Sequence, residues 1–208
     1  MEKIIGVDFD NTIVRYGALV HRIAVEWGLV QENTEKDKKV IRDRIRLLPN
    51  GDVEWQKVQA EVYGPRMKEA ELIEGVSEFL AQCRQNNIQI FIVSHKTQYA
   101  HYDRTGTELR TAALEWMESK TFFADTGWGI LRENVFFEST RVEKVDRIKR
   151  LQCTHFIDDL EEVFAEASFP ENTEKILFDT QGRRAELAGI RMATSWKEIG
   201  DHFFRAAC

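Results

Sequence analysis

A chain of 208 residues is long enough for one sizeable core with a small accessory lobe, and too short for two full domains. Its composition, 43% hydrophobic and 31% charged, is that of an ordinary globular protein and excludes a disordered, fibrous or membrane-embedded one. The net charge of -6 excludes a generally basic surface of the kind that coats nucleic acid, and no apolar run has the length of a secretory core or a membrane span.

In chain order, the short apolar run at 4–7 reads as a buried strand. From 15 to 71 the apolar residues take helical spacing: Val20, Ile23, Ala24 and Trp27, then Ile41, Ile45 and Leu48, then Trp55, Val58 and Val62. Turn signals at Pro49, Asn50 and Gly51, and at Gly64 and Pro65, divide and end this stretch. An all-helical insertion therefore follows the first strand. Further strands are expected at 88–93, 135–137, 155–157 and 176–178. Helical faces lie between them: Val76, Phe79, Leu80 and Cys83; Leu109, Ala113, Trp116 and Met117; Val145, Ile148 and Leu151; Leu160, Val163 and Phe164. A closing helix at 195–204 begins with a serine cap. This alternation predicts an α/β fold, a doubly wound, mostly parallel sheet with helices on both faces. The expected boundaries are 1–14 and 72–208 for the sheet-bearing core and 15–71 for the helical insertion. Cys83, Cys153 and Cys208 are too widely spaced for a disulfide framework or metal cluster, so a reducing, cytoplasmic compartment is expected, with Cys153 a small core residue.

In open parallel sheets, ligands bind beyond the carboxyl ends of the strands. Four polar features stand there: Asp8, Asp10, Asn11 and Thr12; Ser94; Lys144, in the helix after a strand; and Asp158 with Asp159. Asp8 and Asp10, two apart in an extended segment, share one side. A second acidic pair at the same sheet edge makes a cluster of hard oxygen ligands that suits Mg2+ with substrate phosphate. Taken alone, each acidic pair reads equally as a cap or turn, and Ser94 as a turn serine. Lys144 near a helix start opposes the dipole and calls for a compensating anion. His95 and Lys96 follow Ser94 closely enough to touch a phosphate, although a polar loop explains them as well.

These residues resemble the haloacid dehalogenase superfamily of phosphotransferases: Asp-x-Asp-x-Thr at Asp8 to Thr12, a strand-ending serine at Ser94, a lysine at Lys144, and the pair Asp158 and Asp159. The resemblance implies a Rossmann-like core in which the insertion after the first motif is a small helical cap of the C1 type. It implies that Asp8 is the nucleophile of an aspartyl-phosphate, and that Asp10 is the general acid and then the base. Ser94 and Lys144, with Asn11 and Thr12, would bind the substrate, while Asp8, the Asp10 carbonyl, Asp158 and Asp159 would hold Mg2+. The implied activity is a phosphatase acting on a small phosphorylated metabolite such as a sugar phosphate or nucleotide; no membrane partner is expected, and the acidic balance makes a phosphorylated nucleic-acid end the lesser alternative substrate. Arg15, Tyr16, His21, Arg42, Arg44 and Arg46 are candidates to line the cap, and a solvated helix face explains them equally. A phosphomutase would share every motif, and a non-catalytic phospho-ligand module is a further alternative. Asp10 counts against a dehalogenase, whose chemistry uses no second aspartate as acid and base.

Overall fold

The computed structural model describes residues 2–103, 105–182 and 188–205. Its strands in chain order are β1 (Ile4–Val7), β2 (Val14–Arg15), β3 (Glu71–Leu72), β4 (Gln89–His95), β5 (Val135–Glu138), β6 (His155–Asp158), β7 (Glu174–Phe178) and β8 (Ile190–Ala193). The helices are α1 (Gly17–Glu26), α2 (Lys38–Arg46), α3 (Gly51–Tyr63), α4 (Val76–Gln85), α5 (Leu109–Ser119), α6 (Arg141–Arg150), α7 (Glu161–Phe164) and α8 (Trp196–Phe204). The chain divides into two compact units.

The first unit comprises Met1–Ile13, Leu72–Lys96 and Thr121–Cys208. Six strands form one parallel sheet in the order β5-β4-β1-β6-β7-β8. Alternation along the strands sends Phe91, Val93, Phe156 and Leu177 to one face, where Val145 and Ile148 of α6 cover them. Phe178 points to the other face, against Trp196 of α8, which in turn packs on Phe79 of α4. Helices thus cover both faces, as the sequence pattern predicts for buried parallel strands. Gly6 in central β1 has a packing reason: a Cβ there would stand 2.5 Å from the Phe156 ring and 3.0 Å from Cys153 Sγ. Strand β8 escapes the sequence reading because Ile190, Arg191 and Met192 form a half-exposed edge with no continuous apolar run. The helical face at 160–164 shrinks to the single turn α7. The closing helix α8 forms as expected, Ser195 Oγ accepting from Glu198 N at 3.2 Å.

The second unit comprises Val14–Glu71 and Thr97–Lys120. Asp37 caps α2, its side chain accepting from Lys39 N at 2.8 Å and Val40 N at 2.9 Å. Asn50, at φ 58°, and Gly51 make the sharp α2–α3 junction, where a Cβ on Gly51 would meet the Ile45 carbonyl oxygen at 2.3 Å. Tyr16 and Tyr63 stack edge to face at 4.8 Å inside the unit. Sequence periodicity places 97–120 with the sheet-bearing core, whereas the structure groups it here. The reason is the α5 face of Leu109, Ala113, Trp116 and Met117: Trp116 Nε1 donates to the Ala70 carbonyl at 2.9 Å, in the first segment of the same unit. Spacing reveals which face of a helix is apolar, not what covers it. Among the described residues no helix is long and apolar enough to cross a membrane.

Candidate active site

All residues that converge on the candidate site belong to the first unit. Val7 of β1 pairs with Ile92 of β4 and with Ile157 of β6, so the three strands end side by side. Asp8 follows directly, its N–H donating to the Ile157 carbonyl at 2.9 Å, with Ser94 on one flank and Asp158 on the other. Asp8 is only 4% exposed and Asp158 is 0%. Two buried carboxylates this close require a cation.

Lys144 supplies it. Its ammonium donates to Asp8 Oδ1 and to Asp158 Oδ2, both at 2.6 Å. The lysine reaches this point because α6 starts at a capping box, Thr140 Oγ1 accepting from Glu143 N at 3.1 Å while Glu143 returns to the Thr140 N–H. Burial alone would drive Lys144 toward its neutral form, but Asp158 and Asp8 outweigh burial and raise its pKa. Burial pushes the Asp158 carboxyl up; Lys144 opposes that shift and the Asp8 charge adds to it. Ser94 Oγ donates to the same Asp8 Oδ1 at 2.9 Å, and Leu160 N to Asp158 Oδ1 at 3.0 Å. Asp8, Asp158 and Asp159 each place a carboxylate oxygen within 4.8 Å of the others, a donor set of the hard-oxygen kind that suits Mg2+.

Asp10 lies in a turn closed by Ile13 N donating to the Phe9 carbonyl at 3.0 Å, with Asn11 in the left-handed region at φ 61°. Asn11 thus has a backbone role in turning the loop. Thr12 Oγ1 is 3.5 Å from Asp8 Oδ2, too long for a strong hydrogen bond. The Thr12 carbonyl accepts from Trp196 Nε1 at 2.9 Å, which ties the loop to α8. Both Asp10 oxygens are engaged by Lys96 Nζ, at 2.9 and 3.1 Å, with that ammonium 5.6 Å from the Phe9 ring centre. Lys96 is 5% exposed, whereas His95 faces outward with Nε2 3.0 Å from the Ser139 carbonyl. Sequence position offers Lys96 either a phosphate contact or loop polarity and does not pair it with Asp10. The overlooked signal is strand alternation: if Ser94 points inward, so does Lys96 two residues on.

In the second unit, the cap candidates have local partners. Arg15 pairs with Glu71 at 3.4 Å, Arg42 with Asp43 at 2.8 Å and Arg46 with Asp52 at 2.8 Å. Arg44 donates to Thr34 Oγ1 at 3.1 Å, and Tyr16 is fully buried. His21 is 6% exposed, and its Nε2 has no hydrogen-bond partner among the described residues.

No family model and no curated protein matches the sequence. Solved structures do. A haloacid dehalogenase-like family hydrolase from Streptococcus pneumoniae superposes with a TM-score of 0.58 at 12% identity, covering 97% of this chain and 98% of that one. A dehalogenase with an intermediate complex gives a TM-score of 0.57 at 13% identity, covering 95% of each chain. A HAD family hydrolase from Deinococcus radiodurans, with bound phosphate and sodium, gives 0.55 at 14% identity, covering 97% of this chain and 95% of that one. Likeness over nearly the whole length, at identities this low, speaks for architecture. The chain has the fold of haloacid dehalogenase-superfamily hydrolases.

Proposed function

We propose that the protein is a Mg2+-dependent phosphatase of the haloacid dehalogenase superfamily with a helical cap, working through an aspartyl-phosphate at Asp8. The single observation that carries this reading is the convergence of Asp8, Asp158 and Asp159 within 4.8 Å, with buried Lys144 bridging the first two. A hydrolase that displaces halide needs a nucleophile but has no use for three clustered carboxylates; phosphoryl transfer needs both an in-line nucleophile and charge neutralisation. Mg2+, held by Asp8, the Asp10 carbonyl, Asp158 and Asp159, would supply that neutralisation.

Asp8 Oδ1 is committed to Lys144 and Ser94, while among the described residues Oδ2 has only the long Thr12 contact. Oδ2 is accordingly the oxygen free to form the bond to phosphorus as the phosphorus–leaving oxygen bond breaks. In this reading Lys144 and Ser94 would also hold the transferring phosphoryl oxygens. Asp10 protonates the leaving oxygen, then takes a proton from the water that attacks phosphorus and breaks the acyl-phosphate. Since Lys96 engages both Asp10 oxygens in the free protein, delivery of that proton requires one of them to be released when substrate binds. The substrate class is a small phosphorylated metabolite, sugar phosphates and nucleotides being the first to try.

The test is release of phosphate from an aryl phosphate and a panel of phosphorylated metabolites, with and without Mg2+. Wild type should turn over only with the metal, and Asp8→Asn should be inactive. Halide release from a 2-haloacid, with no phosphate release across the panel, would overturn the reading.

A further inference from the structure

We propose that His155, Glu174 and His202 form a second site, one that takes a divalent transition metal of the zinc type. His155 opens β6 and Glu174 opens β7, and the two are direct register partners. His202 comes from the last turn of α8. Glu174 Oε2 lies 3.4 Å from His155 Nε2, and Glu174 Oε1 lies 3.0 Å from His202 Nε2. The three ligand atoms stand within 4.8 Å of one another. A tetrahedral zinc with bonds of about 2.0–2.1 Å separates neighbouring ligands by roughly 3.3 Å, so an ion fits between them with little movement. Two imidazoles and one carboxylate select a transition metal over Mg2+ or Ca2+, which prefer oxygen.

The surroundings are those of a ligand set. Thr154 Oγ1 sits 2.7 Å from His155 Nδ1 and is itself anchored by Ile4 N at 2.9 Å and Ile4 O at 3.0 Å. That hydroxyl can accept a hydrogen bond from the Nδ1–H, which leaves the Nε2 lone pair for a metal, the usual orienting role of a group behind a metal-bound histidine. Burial, with His202 and Lys3 adding to it and Glu174 opposing, holds His155 below the ordinary histidine range, in the neutral form that ligates. Burial would raise Glu174, but its hydrogen bond to Arg191 keeps it low, as a carboxylate. Arg191 Nε contacts Oε1 at 2.8 Å and leaves Oε2 to the ion. The side chains are 16%, 35% and 24% exposed, shielded yet within reach of solvent.

This site lies at the opposite end of β6 from Asp158, three residues or roughly 10 Å away. Binding is a plain ligation: nitrogen and carboxylate lone pairs enter the metal shell, any displaced Nε2 proton leaves to solvent or moves to Nδ1, and nothing is oxidised or reduced. The ion would staple α8 to the starts of two strands.

The full-length protein, stripped with a chelator, is titrated with Zn2+ by calorimetry and with Co2+ by visible absorption. One equivalent of Zn2+, an intense tetrahedral cobalt band and a higher melting temperature are expected. His202→Gln and Glu174→Gln, each checked for folding by circular dichroism, should each weaken zinc affinity by at least about tenfold. Having two variants on different elements keeps one usable if the other fails to fold. Asp158→Asn should leave the zinc titration unchanged. Absence of zinc uptake by wild type, undiminished uptake in both variants, or loss of uptake in Asp158→Asn alone would overturn the proposal.

Discussion

Replacing Lys144 by methionine removes the cation from between two carboxylates that are almost fully buried. Each carboxylate contacts the ammonium at 2.6 Å. Oxygens no more than 4.8 Å apart would repel as unit charges by roughly 3.5 kcal/mol at an effective dielectric constant of about 20, a ceiling set by proton uptake on Asp158, whose carboxyl burial already pushes up. That agrees with the loss of about 3–5 kcal/mol found when one partner of a buried ion pair is deleted. Methionine keeps most of the chain length, so cavity formation adds little. In urea titrations in EDTA at neutral pH, a slope of about 3 kcal/mol per molar converts the loss into a midpoint lower by about 1–1.7 M. The double variant Asp8→Asn/Lys144→Met removes one of the two charges and should recover most of it. A midpoint shift under about 0.3 M for Lys144→Met, or a double variant no more stable than the single, would refute the reasoning.

Lys96→Met leaves Asp10 without the ammonium that spans both its oxygens. Steady-state kinetics on an aryl phosphate should show kcat lower by about 100-fold with KM nearly constant, because proton transfer and not binding is impaired. Gly6→Ala drives a methyl into the Phe156 ring. Thermal melts should report a loss of about 1–3 kcal/mol. Cys83 and Cys153 are free, and burial pushes both thiols up to about 12. Alkylation with peptide mapping at pH 8 should leave both unmodified in the native protein and modify both in urea. The folded state keeps these protons after the unfolded chain has lost them, so stability should fall as pH rises from about 9 towards 12.

The residues that were legible in the sequence share a cause. Asp8, Ser94 and Asp158 each end or directly follow an apolar run, and in a parallel sheet such runs finish at a common edge. Lys144 was harder, since a lysine early in a helix reads as a surface charge until two partners are found for it. Lys96 and β8 were obscured for opposite reasons. The alternation that turns Lys96 inward continues one residue past the strand, whereas the residues of β8 are too exposed to make an apolar run. The placement of 97–120 was not legible, because the partner of Trp116, the Ala70 carbonyl, is a backbone group that carries no sequence signal.

The two-segment build of the second unit sets an order for assembly on the ribosome. Its last segment ends at Lys120, while the first unit keeps α8, and with it the Trp196 bond to the Thr12 carbonyl, until the end of the chain. At about 5–20 residues per second, the roughly 80 residues between these points take about 4–16 s to synthesise. For that interval the second unit has all its parts while the loop bearing Asp8 and Asp10 still waits for its clamp. Truncation between Asp159 and Trp196 would therefore leave the loop without its tie to α8, with every other catalytic side chain already made.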